Sequence, residues 1–289
     1  LGVKRGDRIG LLSDNRPERL ALDLSILSLG AIDVPRGRDA MEYEIEYILK
    51  TTEAEVCVVE NLELYKKLTN VSERLPKLKY VIVIDEAGIE LNSSVISYKA
   101  LLSRGIERLG MEGEREKIER EVMLGDESDT ATIIFTSGTT GLPKGVMSTH
   151  GNFLYICGVG NSLYPFKKGE KWLSVLPVWH SFERIIQYLF ISLSHTIVYS
   201  KPIGKIMLTD IQRENLDYMG SVPRIWETVK AGVYQNVRSM SKVKKTLFNF
   251  FLSIGKHYSN AEKKVLGSTA HTKSGSVAMD RVMGFFPYI

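Results

Sequence analysis

Tyr80-Val81-Ile82-Val83-Ile84-Asp85 and, earlier in the chain, Glu55-Val56-Cys57-Val58-Val59 decide the fold. Both are nearly unbroken runs of β-branched and apolar side chains. A strand with one wet face alternates apolar and polar residues, whereas a strand covered on both faces does not. Such strands call for helices on either side of a sheet. The flanking sequence supplies them. Arg8-Ile9-Gly10-Leu11-Leu12-Ser13 and Ala31-Ile32-Asp33-Val34-Pro35 read as further buried strands. Between them, 17–30 reads as a helix with Asn15 as its cap, Pro17 in its first turn, Leu20, Leu24 and Leu27 on one face, and Gly30 ending it. Residues 42–52 read as a helix with Ile45, Ile48 and Leu49 inward. Further strands are predicted at 132–135, 172–176 and 196–199, with a helix over 182–192 and, directly past a Thr/Gly-rich loop after 132–135, a helical pattern near Asn152. Residues 104–127, crowded with Glu, Arg and Lys, read as an exposed helix or loop. Strand–helix alternation of this kind predicts an α/β fold with mostly parallel sheets flanked by helices.

Composition agrees. The chain has 289 residues, 44% hydrophobic and 25% charged, which excludes disordered and collagen-like classes. The length suits one large domain or two modest ones. Two cysteines, Cys57 and Cys157, cannot staple a small secreted scaffold, so a reducing compartment is expected. Residues 1–15 lack the apolar core of a signal peptide. The longest apolar-rich run, 185–193, falls short of the roughly 20 residues that cross a bilayer. The expected location is cytoplasmic, with peripheral attachment at the inner face of the membrane left open. A net charge of +4 does not point to nucleic acid, but residues 201–289 hold 14 Lys/Arg against 6 Asp/Glu. That imbalance marks either a solvated basic face or an anionic partner. The chain opens on Leu1 and closes on an apolar Gly284-Phe285-Phe286-Pro287-Tyr288-Ile289, which suggests a segment of a longer polypeptide.

The chemistry concentrates in Thr136-Ser137-Gly138-Thr139-Thr140-Gly141-Leu142-Pro143-Lys144-Gly145, directly after the apolar strand at 132–135. Glycines let backbone N–H groups approach an anion, hydroxyls donate to phosphate oxygens, and Lys144 brings a mobile positive charge. The physical reading is a polyphosphate cradle. It is not a Walker A loop, because Gly138 and Gly141 are too close and Lys144 precedes Gly145. It is not a nucleophile elbow, because Ser137 lies between Phe135 and Thr139 where glycines are required.

This segment resembles, at every position, the phosphate loop of the adenylate-forming (AMP-binding) superfamily. Gly6-Asp7-Arg8-Ile9, Asn15-Arg16-Pro17-Glu18, 30–37 and Leu176-Pro177-Val178-Trp179-His180-Ser181-Phe182-Glu183-Arg184 resemble its long-chain fatty-acid–CoA ligase branch. The resemblance implies that the chain is a partial N-terminal domain, 1–289, cut at both ends and without the small C-terminal lid domain. It implies activation of a long-chain fatty acid by ATP to acyl-AMP, then transfer to coenzyme A, with Mg²⁺ assisting. It assigns Thr136, Ser137, Gly138, Thr139, Thr140, Gly141 and Lys144 to the ATP phosphates, and Thr136 also to Mg²⁺. Lys144 and His180 become the catalytic candidates. Trp179, His180 and Glu183 are expected to border the substrate pocket, although Glu183 and Arg184 also read as a local ion pair. Ser221-Val222-Pro223-Arg224-Ile225-Trp226-Glu227 matches the same branch and reads structurally as a strand-end turn with a packed Trp226.

The resemblance also shows what the chain lacks. It contains no Gly-Gly pair for an adenine-binding stretch and no Tyr-Gly-x-Thr-Glu to hold Mg²⁺. The fragment alone is expected to be inactive. Two alternatives stay open. One is another adenylating enzyme, such as an acyl-AMP ligase. The other is a non-catalytic lipid-binding module at an anionic membrane surface, suggested by Val243, Leu247, Phe250 or Phe251, and Ile254 at helical spacing among Lys242, Lys244, Lys245 and Lys256. The same pattern suits a helix packed on the domain. Nothing in the sequence sets the oligomeric state.

Overall fold

The structure, a computed structural model, describes residues 1–136, 142–163 and 166–265, with backbone only at 161–163 and 261–265. In chain order the elements are β1 (Arg8–Leu12), α1 (Pro17–Ser28), β2 (Ile32–Arg36), α2 (Glu42–Thr52), β3 (Val56–Val59), α3 (Leu62–Val71), β4 (Tyr80–Val83) and β5 (Val95–Ser97). Then come α4 (Tyr98–Leu109), α5 (Glu114–Met123), β6 (Thr130–Thr136), β7 (Lys144–Thr149), α6 (His150–Leu163), β8 (Lys171–Ser174) and α7 (Ser181–Ser192). The last are β9 (Thr196–Tyr199), α8 (Gly204–Glu214), β10 (Tyr218–Met219), α9 (Pro223–Ser239) and α10 (Lys242–Val265). The chain divides into two compact units. One comprises Leu1–Lys201 with Thr209–Gly220, the other Pro202–Leu208 with Ser221–Ile289.

The first unit holds a seven-stranded sheet of order β5-β4-β3-β1-β2-β6-β7 and a three-stranded parallel sheet of order β10-β8-β9. All pairings in the large sheet are parallel except β6 with β7. The unbroken apolar runs are covered on both faces. Cys57 and Val59 join Ile45, Leu49, Leu64 and Leu68 on the side of α2 and α3. Val56 and Val58 join Leu22 and Ile26 on the side of α1. Each such side chain removed from water contributes about 1.5–3 kcal/mol. Gly10 sets the distance between α2 and the sheet, since a Cβ there would lie 2.6 Å from a methyl of Leu49 and 3.1 Å from the Cys57 sulfur.

Four expectations are corrected. The buried face of α1 is Arg19, Leu22, Asp23 and Ile26, not Leu20, Leu24 and Leu27. Asn15 does not cap α1; Arg16 occupies that position without a side-chain bond. The segment after the Thr/Gly-rich loop is strand β7 before it becomes helix α6. Pro223 opens α9, so 221–227 is a helix start and not a strand-end turn.

Polar groups explain the first correction. Arg184 of α7 is fully buried and reaches Asp23 of α1, Asp33 of β2 (Nη1–Oδ2 2.7 Å), the Thr132 hydroxyl of β6 (2.8 Å) and the Tyr188 hydroxyl (2.6 Å). Tyr188 in turn donates to Asp23 Oδ2 at 2.8 Å. Arg19 lies 3.9 Å from the same carboxylate. Two cations and two carboxylates therefore form a neutral, enclosed cluster joining four elements. Its satisfaction is uneven. Asp33 Oδ1 and the three Arg19 guanidinium nitrogens have no hydrogen-bond partner among the described residues. Burial pushes the Asp33 carboxyl up to about 6, against the pull of Arg184.

Removing one partner of a buried pair strands the other charge and costs about 3–5 kcal/mol. Arg184→Met is expected to lower the urea unfolding free energy by about that amount. The raised Asp33 value has a definite sign. Between about pH 4 and 6 the folded state keeps a proton that the unfolded state releases, so stability falls as pH rises through that window. Asp33→Asn should flatten that part of the stability–pH curve, as read by urea midpoints at successive pH values.

Candidate active site

In an open parallel sheet, ligands gather at the carboxyl ends of the strands, at the point where the strand order reverses. Here the reversal falls between β1 and β3, and side-chain hydrogen bonds span it. The Glu60 carboxylate follows β3 and accepts from the Ser13 hydroxyl (3.0 Å) and the Asp14 amide (2.7 Å), both just beyond β1. The phosphate-loop segment and His180 lie farther along this edge, on the side of β2, β6 and β7.

Asn15 carries the edge across to the small sheet. Its Nδ2 donates to the Ser174 hydroxyl (2.8 Å) and the Leu176 carbonyl (2.7 Å), and its Oδ1 accepts from the Val178 amide (3.1 Å). The turn after β8, which bears Trp179 and His180, is thus tied to the turn after β1. Trp179 leans over the turn after β2. A Cβ on Gly37 would fall 2.3–2.6 Å from three carbons of its indole, so only glycine leaves room for the ring. The Trp179 and His180 rings lie 6.1 Å apart. His180 stands at the start of α7, open to solvent. Partial burial and the nearby Arg36 charge push its imidazole below the ordinary value, with Asp39 opposing, which favours the neutral ring.

Glu183, expected at the pocket, is wholly buried. Its Oε1 accepts from Trp172 Nε1 (3.3 Å), while its Oε2 has no partner among the described residues. Burial raises its pKa. Arg184 turns to Asp23 and Asp33, so the local Glu183–Arg184 pair does not form.

The phosphate-loop segment is the connection of an antiparallel hairpin. Thr136, the last residue of β6, pairs directly with Lys144, the first of β7, and both are exposed. Ser137, Gly138, Thr139, Thr140 and Gly141 lie outside the described residues. The base of the loop is held by α2: Tyr47 donates to the Pro143 carbonyl (3.1 Å) and packs edge-on to Phe135 with centroids 6.0 Å apart. The same helix holds the β2 turn, because Glu44 accepts from Arg36 (2.9 Å) and from the Met41 amide (2.9 Å). One helix thus supports both the loop and the surroundings of His180. Tyr47 and Asn15 were not singled out as site residues in the sequence. The signal for β7, the β-prone Val146-Met147-Ser148-Thr149, was present but hidden by the loop's glycines.

The geometry makes two predictions. Asn15→Ala breaks three hydrogen bonds and is expected to cost about 2–4 kcal/mol in urea denaturation, at roughly 1 kcal/mol each plus unpaired groups. Gly37→Ala should displace the Trp179 ring and red-shift tryptophan emission, with the far-ultraviolet circular dichroism unchanged.

A family model described as AMP-binding enzyme matches residues 1–276. Among curated relatives, the chloroplastic long-chain-fatty-acid–[acyl-carrier-protein] ligase AEE15 of Arabidopsis thaliana is 29% identical over 264 residues, covering 89% of this chain and 36% of the relative. The long-chain-fatty-acid–CoA ligase FadD15 of Mycobacterium tuberculosis is 28% identical over 247 residues, covering 84% and 39%. The chain therefore spans a little over a third of the length of these relatives. The solved N-terminal domain of FACL13 from M. tuberculosis superposes with a TM-score of 0.63 at 20% identity, covering 79% of this chain and 53% of that one. A long-chain-fatty-acid-CoA ligase, FadD1, from Archaeoglobus fulgidus gives 0.62 at 22%, covering 83% and 44%. These two likenesses concern fold, and they match the large N-terminal domain of the adenylate-forming architecture. With one family model accounting for residues 1–276, the chain belongs to the adenylate-forming AMP-binding enzymes.

Proposed function

We propose that this protein activates a long-chain fatty acid with ATP and passes the acyl group to coenzyme A. A carboxylate oxygen bonds to the α-phosphorus of ATP as the bond to the β-phosphate bridging oxygen breaks, releasing pyrophosphate. The thiolate of coenzyme A then bonds to the acyl carbon of the mixed anhydride, and AMP leaves. The first step joins two anions, so it needs positive charge fixed where negative charge accumulates. The observation that carries the reading is the loop 136–145 itself, rooted in a braced hairpin at the carboxyl edge of a parallel sheet. The role given to each residue rests on the resemblance of the loop, and this setting supports it. Thr136 and the loop hydroxyls donate to phosphate oxygens, and Lys144 neutralises the departing pyrophosphate. His180 borders the acyl and adenylate region, beside Trp179.

Magnesium is typical of the family. Thr136 offers one hydroxyl oxygen, and no group of three or more His, Cys, Asp or Glu side chains that could hold a metal occurs among the described residues. Magnesium prefers six oxygens with one or two carboxylates among them. The described residues do not make that set.

The choice of long-chain acid and of coenzyme A rests on the names of the relatives. A second reading, transfer to an acyl-carrier protein, draws on the name of AEE15. Release of AMP with carboxylic acids of increasing length, and with either acceptor, separates these.

Lys144→Ala is expected to lower ATP–pyrophosphate exchange about 100-fold, the scale of one lost transition-state contact. The unfolding midpoint should not move, because Lys144 is exposed. Exchange is measured on a polypeptide of the relatives' full length carrying this sequence, and the 289 residues alone are expected to give none. Unchanged exchange in the variant would remove the loop from the mechanism.

A further inference from the structure

Helix α10 carries two apolar stripes with different surroundings. Phe248 and Leu252 are half-buried, and the Phe248 ring meets Tyr234 of α9 edge-on at 6.3 Å. Val243, Leu247, Phe250, Phe251 and Ile254 form the other stripe. Their spacing of i, i+4, i+7, i+8 and i+11 sets all five on one helix face. Each is between 48% and 69% exposed. Phe250 and Phe251 touch only edge-on, with centroids 5.6 Å apart. Five large apolar side chains side by side are more than the scattered single exposures that a soluble surface ordinarily shows.

The charge on this helix is of one sign over 242–261. Lys242, Lys244, Lys245 and Lys256 are present, and no Asp or Glu occurs between Lys242 and Ala261. Lys242 and Lys244 flank the start of the stripe, where their methylene stems can lie along apolar surface while the ammonium groups reach outward. A second copy of the helix would set lysines mostly against lysines, with Glu262 the one carboxylate of α10 to offset them. An anionic lipid surface complements both features at once, with phosphates for the lysines and hydrocarbon for the stripe. No helix among the described residues is long and apolar enough to cross a membrane, so the fitting mode is to lie in the interface.

We propose that α10 docks on an anionic lipid surface, with the 243–254 stripe inserted at the headgroup–acyl boundary and Lys242 and Lys244, which flank its start, reaching lipid phosphates. This docking uses the second compact unit alone and stands apart from the acyl-activation reading.

The test is cosedimentation of the chain with large vesicles of phosphatidylcholine, with or without roughly 30 mol % phosphatidylglycerol. Binding is expected to the mixed vesicles only, and to weaken steeply as salt is raised to about 0.5 M. Lys242→Gln and Lys244→Gln should each weaken it about five-fold. Phe250→Ser with Phe251→Ser should abolish it. Both phenylalanines are exposed, so the circular dichroism and the unfolding midpoint should be unchanged, which separates lost docking from lost folding. The proposal is overturned if the mixed vesicles leave the chain in the supernatant, or if the double serine variant binds as well as the parent. It is also overturned if sedimentation velocity shows a dimer that the same two substitutions dissolve, because the stripe then belongs to a second copy.

Discussion

The buried guanidinium of Arg184 is the constraint on which the first unit depends. Four elements meet at that one side chain: α7 through its own backbone, α1 through Asp23, β2 through Asp33, and β6 through Thr132. The enclosing protein makes each unmet charge there expensive, so the elements cannot drift separately. An apolar plug of similar volume would pack as well but would not dictate one mutual arrangement in the same way. The tolerance of unpaired atoms at Arg19 and Asp33 shows how strongly the arrangement is imposed.

That constraint reaches the candidate active site through short covalent paths. Asp33 lies on the strand whose end bears Arg36 and Gly37, and Thr132 on the strand that ends at Thr136. Arg184 belongs to the helix that begins beside His180. Asn15 and Tyr47 add cross-ties at the rim. The result is a set of turns whose side chains differ in chemistry but share one rigid support, as a site built on strand ends requires.

Part of this could be read from the residues in order. Val56–Val59 and Tyr80–Val83 announced a sheet covered on both faces, because strands without a wet face leave no alternation to misread. The helix at 42–52 was equally plain, with Ile45, Ile48 and Leu49 inward. The orientation of α1 was not, because its inward face carries Arg19 and Asp23. Apolar periodicity assigns such residues to solvent, and only partners far along the chain make their burial possible. Asn15 misled for a related reason. Its capping preference is local, while its bonds go to 174–178. The loop 136–145 was legible as chemistry because phosphate recognition needs particular residue types in close succession. The position of Glu183 was not, since a carboxylate in a motif gives no sign of whether it faces a cleft or an indole.

The Glu60 carboxylate at the end of β3 also has an electrostatic effect on any polyphosphate that approaches. Negative charge sits over the β1–β3 crevice, whereas Lys144 stands at the far margin beyond β6. Arg16 feels that carboxylate, so the field over the crevice is set by the two together, and a group entering there meets both signs of charge within one turn.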